Sequence, residues 1–319
     1  MLGGSAALAA GVTARPALAV GAGAPGVATA RDIVQGLLAE TRAPSMSAAV
    51  SRGGRIVWAE AFGYADLEQH LPATIAGRYR LASVSKLIAG VTAARLAERG
   101  AIDLDRPIGR YRPTLPETHH RTTLRQLLAH TGGGRHYNPR DYDPHAPGGP
   151  IDYRLYRSTE DALAVFIHDP LVSVPGEAFN YSTFGYTRAA GVRESAPGRA
   201  FPALVARELV APLGLPSLLP EVMSAPIPER VACYQVRQAT GEVFRAPAIN
   251  PAYKWAGGGY VGTASDIARF CPGSIAGARS IALLLPEADL AVVVLSNLSD
   301  LPVDPLSPAQ RIAEAFLTA

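Results

Sequence analysis

Ser83 and Lys86 stand three residues apart in the segment Leu81-Ala82-Ser83-Val84-Ser85-Lys86-Leu87. That spacing puts a hydroxyl and an amine within one turn of a helix. The chain holds only two lysines against 28 arginines, so this amine is not one of many surface cations. Arginine keeps its charge permanently, whereas lysine can be neutralised by burial and then act as a base. A serine hydroxyl attacks a carbonyl only when a base removes its proton. Lysine can be that base only if burial or nearby positive charge lowers its pKa far below about 10.4. With 18 serines in the chain, chance alone gives a Ser-x-x-Lys match roughly one time in ten. A cap serine beside a solvated lysine also explains the isolated pair, so the surroundings must decide.

The elements that would position the pair are legible around it. Helical periodicity over residues 28–41 (Ile33, Leu37, Leu38) stops short of Pro44. Residues 47–51 and 55–63 are β-like and joined through Gly53-Gly54, which predicts a hairpin. Ser83 then precedes an amphipathic helix over about 84–99, closed by Gly100, with Leu87, Val91, Ala94, Leu96 and Ala97 as its expected buried face. From 103 to about 230 the chain is rich in loops and prolines, with helical stretches at 163–167 and 201–210. Strand character returns at 231–234 and 258–261, and Thr263 offers an N-cap to a helix over 267–270. Residues 280–285 and 290–295 form a second hairpin, and a last helix covers 308–317. The pattern is α+β: an antiparallel sheet built from both chain ends, flanked by N- and C-terminal helices, with an inserted helical lobe over about 103–230.

Further landmarks follow in order. Gly63-Tyr64-Ala65-Asp66-Leu67-Glu68 precedes the Ser83 segment, and Gly100-Ala101-Ile102-Asp103-Leu104-Asp105 follows its helix. Residues 123–132 read TLRQLLAHTG, 175–186 read PGEAFNYSTFGY, and Tyr253-Lys254-Trp255-Ala256-Gly257-Gly258-Gly259 is followed by Thr263-Ala264-Ser265-Asp266. On this ordered set the chain resembles the serine β-lactamase-like superfamily over about residues 31–317. The likeness is to its class C β-lactamase, D-aminopeptidase and esterase branch, and within that to the LACTB-like serine hydrolases. The resemblance implies a β-lactamase/transpeptidase-like fold and a serine hydrolase that forms an acyl-enzyme on Ser83, with Lys86 and Tyr181 as base. It also implies an ester, amide, lactam or peptide substrate and no metal or organic cofactor. Tyr181 holds the place of the family's proton-shuttling tyrosine. Thr183 replaces the usual Asn two residues on; it offers a hydroxyl but no amide. Lys254 is expected at the cleft rim, in a structural or a substrate-contacting role. The glycines at 257–259 are expected to allow close backbone approach.

One family element is broken. A Lys/His-x-Gly on the strand edging the site should supply a cation and one oxyanion donor, yet here the chain reads Phe270-Cys271-Pro272-Gly273-Ser274. The missing His would fall at Phe270 or Cys271. Several tens of residues that usually precede this strand are also absent, which reads as an internal deletion joined near 270–271. The oxyanion hole is then expected from the N–H of Ser83 and from Gly273 or Ser274, and losing one such donor costs about 10²–10³ in rate. The break motivates an alternative, a catalytically impaired penicillin-binding-like or scaffold homologue.

Composition sets the outer limits. The 319 residues are 48% hydrophobic and 18% charged with a formal charge of +3. The arginines are dispersed, which argues against a nucleic-acid partner, and no long uncharged apolar run predicts a transmembrane segment. Residues 1–27 are a signal-like or disordered leader of Ala, Gly, Val and Pro, with Ala17-Leu18-Ala19 as a candidate cleavage site. Export to a periplasmic or extracellular space is the expectation. Cys233 and Cys271 have no metal-ligand spacing, and none of the seven histidines sits in a zinc motif. Oligomeric state and the identity of the acyl group are not legible, though LACTB-like relatives raise filaments.

Overall fold

The computed structural model describes residues 23, 25–195, 198–270, 280–298 and 306–318. In chain order the elements are α1 (Val27–Thr41), β1 (Ser45–Arg52), β2 (Arg55–Asp66), β3 (Leu71–Pro72), β4 (Tyr79–Arg80), α2 (Ser85–Glu98), α3 (Leu124–Leu128), α4 (Thr159–Leu163) and α5 (Thr183–Ser195). They continue with α6 (Phe201–Val205), α7 (Ala211–Leu213), β5 (Leu219–Pro220), β6 (Tyr234–Arg237), β7 (Glu242–Arg245), α8 (Trp255–Gly258), β8 (Tyr260–Gly262), α9 (Ala264–Phe270), β9 (Ser280–Leu285), β10 (Leu290–Ser296) and α10 (Leu306–Leu317).

The sheet unites the two chain ends. Its order is β3-β2-β1-β10-β9, and β1 pairs antiparallel with β10, Ala49 opposite Val293. Side chains alternate across a strand, so β10 serves two cores at once. Leu290, Val292 and Val294 join Met46, Ala48 and Val50 of β1 in packing on α1 and α10. Ala291, Val293 and Leu295 face the other way, onto Ile88 of α2 and Ile267 of α9. The sheet is therefore a middle layer with helices on both faces, and every residue of β10 is buried. Phe316 of α10 lies against Trp58, ring centroids 6.4 Å apart. At Gly63, φ is +80° and an added Cβ would lie 2.1 Å from the Pro44 carbonyl oxygen. Only glycine fits where β2 passes that chain.

The lobe packs on the far side of α2. Leu96, Ile108, Leu124, Leu127, Phe166, Phe184 and Val192 form its core. Thr123 and Gln126 close a capping box that starts α3.

Three local expectations change. In α2 the fully buried residues are Ser85, Lys86, Ile88, Ala89, Thr92, Ala93 and Leu96, while Leu87, Val91 and Ala97 are only partly covered and Ala94 is exposed. The helix is embedded between α5, α6 and α8, so small and polar residues turn inward and the apolar stripe does not mark its core side. The helix expected at 163–167 lies one turn earlier, at Thr159–Leu163, because Ser158 and Asp161 form its capping box. Strand character near 231–234 begins a hairpin, β6–β7, with Tyr234 opposite Arg245. Tyr234 donates its hydroxyl to Glu68 at 2.6 Å, and Arg245 pairs with Asp66, fastening that hairpin to the end of β2.

Of the sequence expectations, the leader through residue 22, the join at Cys271 and the proposed oxyanion residues Gly273 and Ser274 lie outside the described residues. Phe270, the other position for the missing His, is a buried core residue at the end of α9. Among the described residues no helix is long and apolar enough to cross a membrane.

Candidate active site

Ser83 sits in a 3₁₀ turn, Ala82–Val84, that leads directly into α2. The turn is pinned from outside the helix: Leu81 N–H donates to the Tyr260 carbonyl at 2.9 Å. Ala82 has φ +46°, a left-handed conformation that costs a non-glycine residue about 1 kcal/mol or more. The strained residue immediately precedes the hydroxyl and sets its aim.

One turn on, Lys86 points back at it. Its side chain lies in the middle of the molecule at 3% exposure. Nζ is 3.2 Å from Ser83 Oγ, 3.2 Å from Thr183 Oγ1 and 2.6 Å from the Gly257 carbonyl oxygen. It also lies over the rings of Tyr181 and Tyr186, 4.9 and 5.3 Å from their centroids. None of these partners is a carboxylate. Burial is the larger cause and the charge of Lys254 the second; together they push the Lys86 amine down to about 7.

Tyr181 completes the constellation. Its hydroxyl is 2.7 Å from Ser83 Oγ, and either oxygen can be the donor. The residue remains 38% exposed, so the phenol meets Ser83 while part of the side chain is open to solvent. Thr183 begins α5 two residues later, and its hydroxyl and the adjacent Gly257 carbonyl both accept from the Lys86 amine. At Gly257 an added Cβ would come 2.5 Å from Thr183 Cγ2. The close approach expected for the glycine run is thus located at the turn that receives Lys86.

The cleft beside Ser83 has a volume of about 510 Å³. Ala82, next to Ser83, lines it together with Ser280, Asn297, Pro247, Ile249 and Lys254. Lys254 Nζ is 3.4 Å from Asp152 Oδ1 and lies over the Tyr253 ring. Burial keeps its own pKa below the usual lysine value, opposed by Asp152. The chain's two lysines therefore share one site, on either side of the short α8 turn. The cleft's other cation, Arg80, is tied through Nε and Nη2 to Glu221. No three His, Cys, Asp or Glu side chains among the described residues could together hold a metal ion.

The structure gathers Ser83, Tyr181 and Thr183 around Lys86 and puts Lys254 in the adjoining cleft. Two neighbours were not singled out from sequence. His130 stacks on Tyr181 with centroids 4.4 Å apart, and His136 meets the same ring edge-on at 5.2 Å. The TLRQLLAHTG segment contains His130, but nothing in its spacing announces contact with a tyrosine 51 positions away.

A family model described as beta-lactamase matches residues 30–281. The human mitochondrial serine beta-lactamase-like protein LACTB is 28% identical over 305 residues, covering 76% of this chain and 55% of that protein. Esterase EstB of Burkholderia gladioli is 29% identical over 264 residues, covering 73% of this chain and 66% of the esterase. The chain thus spans little more than half the length of the LACTB proteins it matches. Among solved structures, EstCE1, a hydrolase with promiscuous acyltransferase activity, superposes with a TM-score of 0.74 at 21% identity, over 91% of this chain and 99% of that one. The D-amino acid amidase from Ochrobactrum anthropi SV3 gives 0.74 at 20% identity with the same coverage. These two likenesses show a β-lactamase/transpeptidase-like fold.

Proposed function

The chain belongs to the beta-lactamase family, and from that premise we propose that it is a serine hydrolase working through an acyl-enzyme on Ser83. The observation that carries the reading is Lys86: an amine inside the protein, without a carboxylate partner, hydrogen-bonded to the one hydroxyl that also meets a phenol at the cleft edge. With its pKa near 7, about half of Lys86 is neutral at pH 7 and able to accept a proton.

Neutral Lys86 takes the Ser83 proton as Oγ bonds to the substrate carbonyl carbon. The carbonyl π electrons move to oxygen, where the N–H of Ser83 and the Gly273–Ser274 segment are proposed to stabilise them. As the tetrahedral adduct collapses, Tyr181 gives its proton to the leaving amine or alkoxide, and Lys86 restores it. Water then attacks the acyl-enzyme with the same groups acting in reverse, releasing the acid and Ser83. Esters, amides and lactams share this sequence, and the relatives named above include an esterase and an amidase. Thr183 and the Gly257 carbonyl hold Lys86 in line, and the cleft above Lys254 receives the acyl side.

A second reading, a protein that acylates and turns over slowly or not at all, is favoured by Phe270. That side chain is sealed in the core and supplies no cation to the site. Intact mass after incubation with a fluorophosphonate or a penicillin tests both. A one-equivalent adduct on the wild type and none on Ser83→Ala is expected. No adduct on folded wild-type protein overturns the hydrolase reading, and a penicillin adduct that persists for hours selects the second.

A further inference from the structure

The geometry points to His130 and His136 as positioning residues that hold the Tyr181 turn through neutral imidazole nitrogens accepting backbone hydrogen bonds. This rests on the acyl-enzyme reading for its catalytic meaning, but not for its structure.

The backbone on either side of Tyr181 is gripped by one residue. Asn180 N–H donates to the His130 carbonyl oxygen at 2.8 Å, and Ser182 N–H donates to His130 Nδ1 at 3.0 Å. The next amide, Thr183 N–H, donates to His136 Nδ1 at 3.3 Å. Two consecutive amides of the catalytic turn therefore end on imidazole nitrogens. An Nδ1 that accepts carries no proton, so each ring must be the neutral form protonated on Nε2. His130 adds its ring face to the Tyr181 ring and adopts φ +60°, a conformation in which histidine and asparagine are enriched among non-glycine residues. Ser182 Oγ donates to the Arg135 carbonyl at 2.6 Å, extending the grip along residues 130–136. That segment is itself anchored by Arg135 to Asp141 and Asp169.

The surroundings keep both rings in the accepting form. His130 faces Lys86 from α2, His136 from its own segment, Tyr181, and Tyr186 from α5. Burial first, then the charge of Lys86, hold it down to about 4. The pKa of His136 is lowered by burial first, then by the charge of Lys86 with smaller effects of Arg135 and Lys254, and Asp141 opposes them. Protonating either ring would set an N–H against an N–H and release the turn. Without the clamp, the phenol is free to leave Ser83 Oγ by an ångström or more, which proton transfer does not tolerate.

The test compares His130→Asn with His130→Gly. Both residues are at ease at positive φ and both remove the ring, but only Asn keeps an acceptor near the Nδ1 position. With an alkyl ester or amide substrate, His130→Gly is expected to lose about tenfold in kcat/KM, the scale of one unmet amide hydrogen bond, and His130→Asn to recover most of it. A p-nitrophenyl ester, whose leaving group needs no proton, is expected to lose much less. In a Tyr181→Phe background, His130→Gly is expected to add nothing. Equal losses on both substrates, or an undiminished loss in the Tyr181→Phe background, overturn the proposal. The imidazole ¹⁵N shifts of the wild type test the clamp without activity: Nε2–H tautomers at both residues support it, and an Nδ1–H at His130 overturns it even if acylation proceeds. A wild type that forms no acyl adduct fails the hydrolase reading while leaving the tautomer result standing.

Discussion

Placing a carboxylate beside Lys86 should move the acid limb of the reaction by an amount that the structure allows one to work out. Thr183 Oγ1 is 3.2 Å from Lys86 Nζ, and Thr183→Asp sets a negative charge at nearly the same place. At an effective dielectric of 20, unit charges at that 3.2 Å separation attract by about 5 kcal/mol, which is roughly 4 pKa units. The new carboxylate must itself be desolvated in a buried site, and taking half away for that leaves roughly 2 units. In the proposed mechanism neutral Lys86 is the active form, so activity is expected above its pKa and lost below it. The wild type should lose kcat/KM as pH falls through about 7. The variant should lose it below about 9, with roughly a 50-fold deficit at pH 7 that shrinks as pH approaches 10. Thr183→Val, which removes the hydroxyl without adding charge, controls for the lost hydrogen bond and should keep the wild-type limb. The assay is the single-turnover acylation rate of a chromogenic ester from pH 5.5 to 10. A Thr183→Asp limb that stays near pH 7 would refute the claim that an uncharged Lys86 removes the Ser83 proton.

Two other outcomes follow from the same geometry. Lys86 is neutralised on folding, so the unfolded chain binds an extra proton between about pH 7 and the ordinary lysine value, and wild-type stability should rise with pH across that window. Lys86→Met removes the cost, and is expected to abolish acylation while stabilising the fold by about 1–3 kcal/mol at pH 7 after the loss of the Gly257 partner. Thermal unfolding at pH 7 and pH 10 checks this, because the gain must shrink at the higher pH. Gly257→Ala puts a methyl 2.5 Å from Thr183 Cγ2 and should destabilise by about 1–3 kcal/mol with a fall in kcat/KM. Gly258→Ala, whose Cβ would meet nothing closer than 3.6 Å, should be tolerated. Comparable melting temperatures for the two variants would count against the close packing at 257.

Much of the architecture was legible because it is written in short-range pattern. The hairpins that became β1–β2 and β9–β10 show as β-like runs broken by Gly-Gly or Pro, and the flanking helices α1 and α10 are one-sided and therefore periodic. Ser83 and Lys86 were legible because one helical turn fixes their relation whatever surrounds it. Tyr181 and Thr183 came through resemblance, as members of an ordered motif. The buried face of α2 was misplaced because periodicity detects a helix with one dry side, and this one is enclosed by α5, α6 and α8. The β6–β7 hairpin was only half seen, since the contacts that fasten it to β2 are remote: Tyr234 meets Glu68 and Arg245 meets Asp66, 166 and 179 positions away.

By itself, then, the sequence determined which groups could react and that two of them lie within one turn at the start of α2. Folding decided their setting: the Lys86 amine is held toward its neutral form because α2, α5 and α8 close over it and bring Lys254 to its neighbourhood. The same closure set His130 and His136 around Tyr181. Solvation and through-space charge depend on distances between remote segments, and no local spacing of residues encodes them.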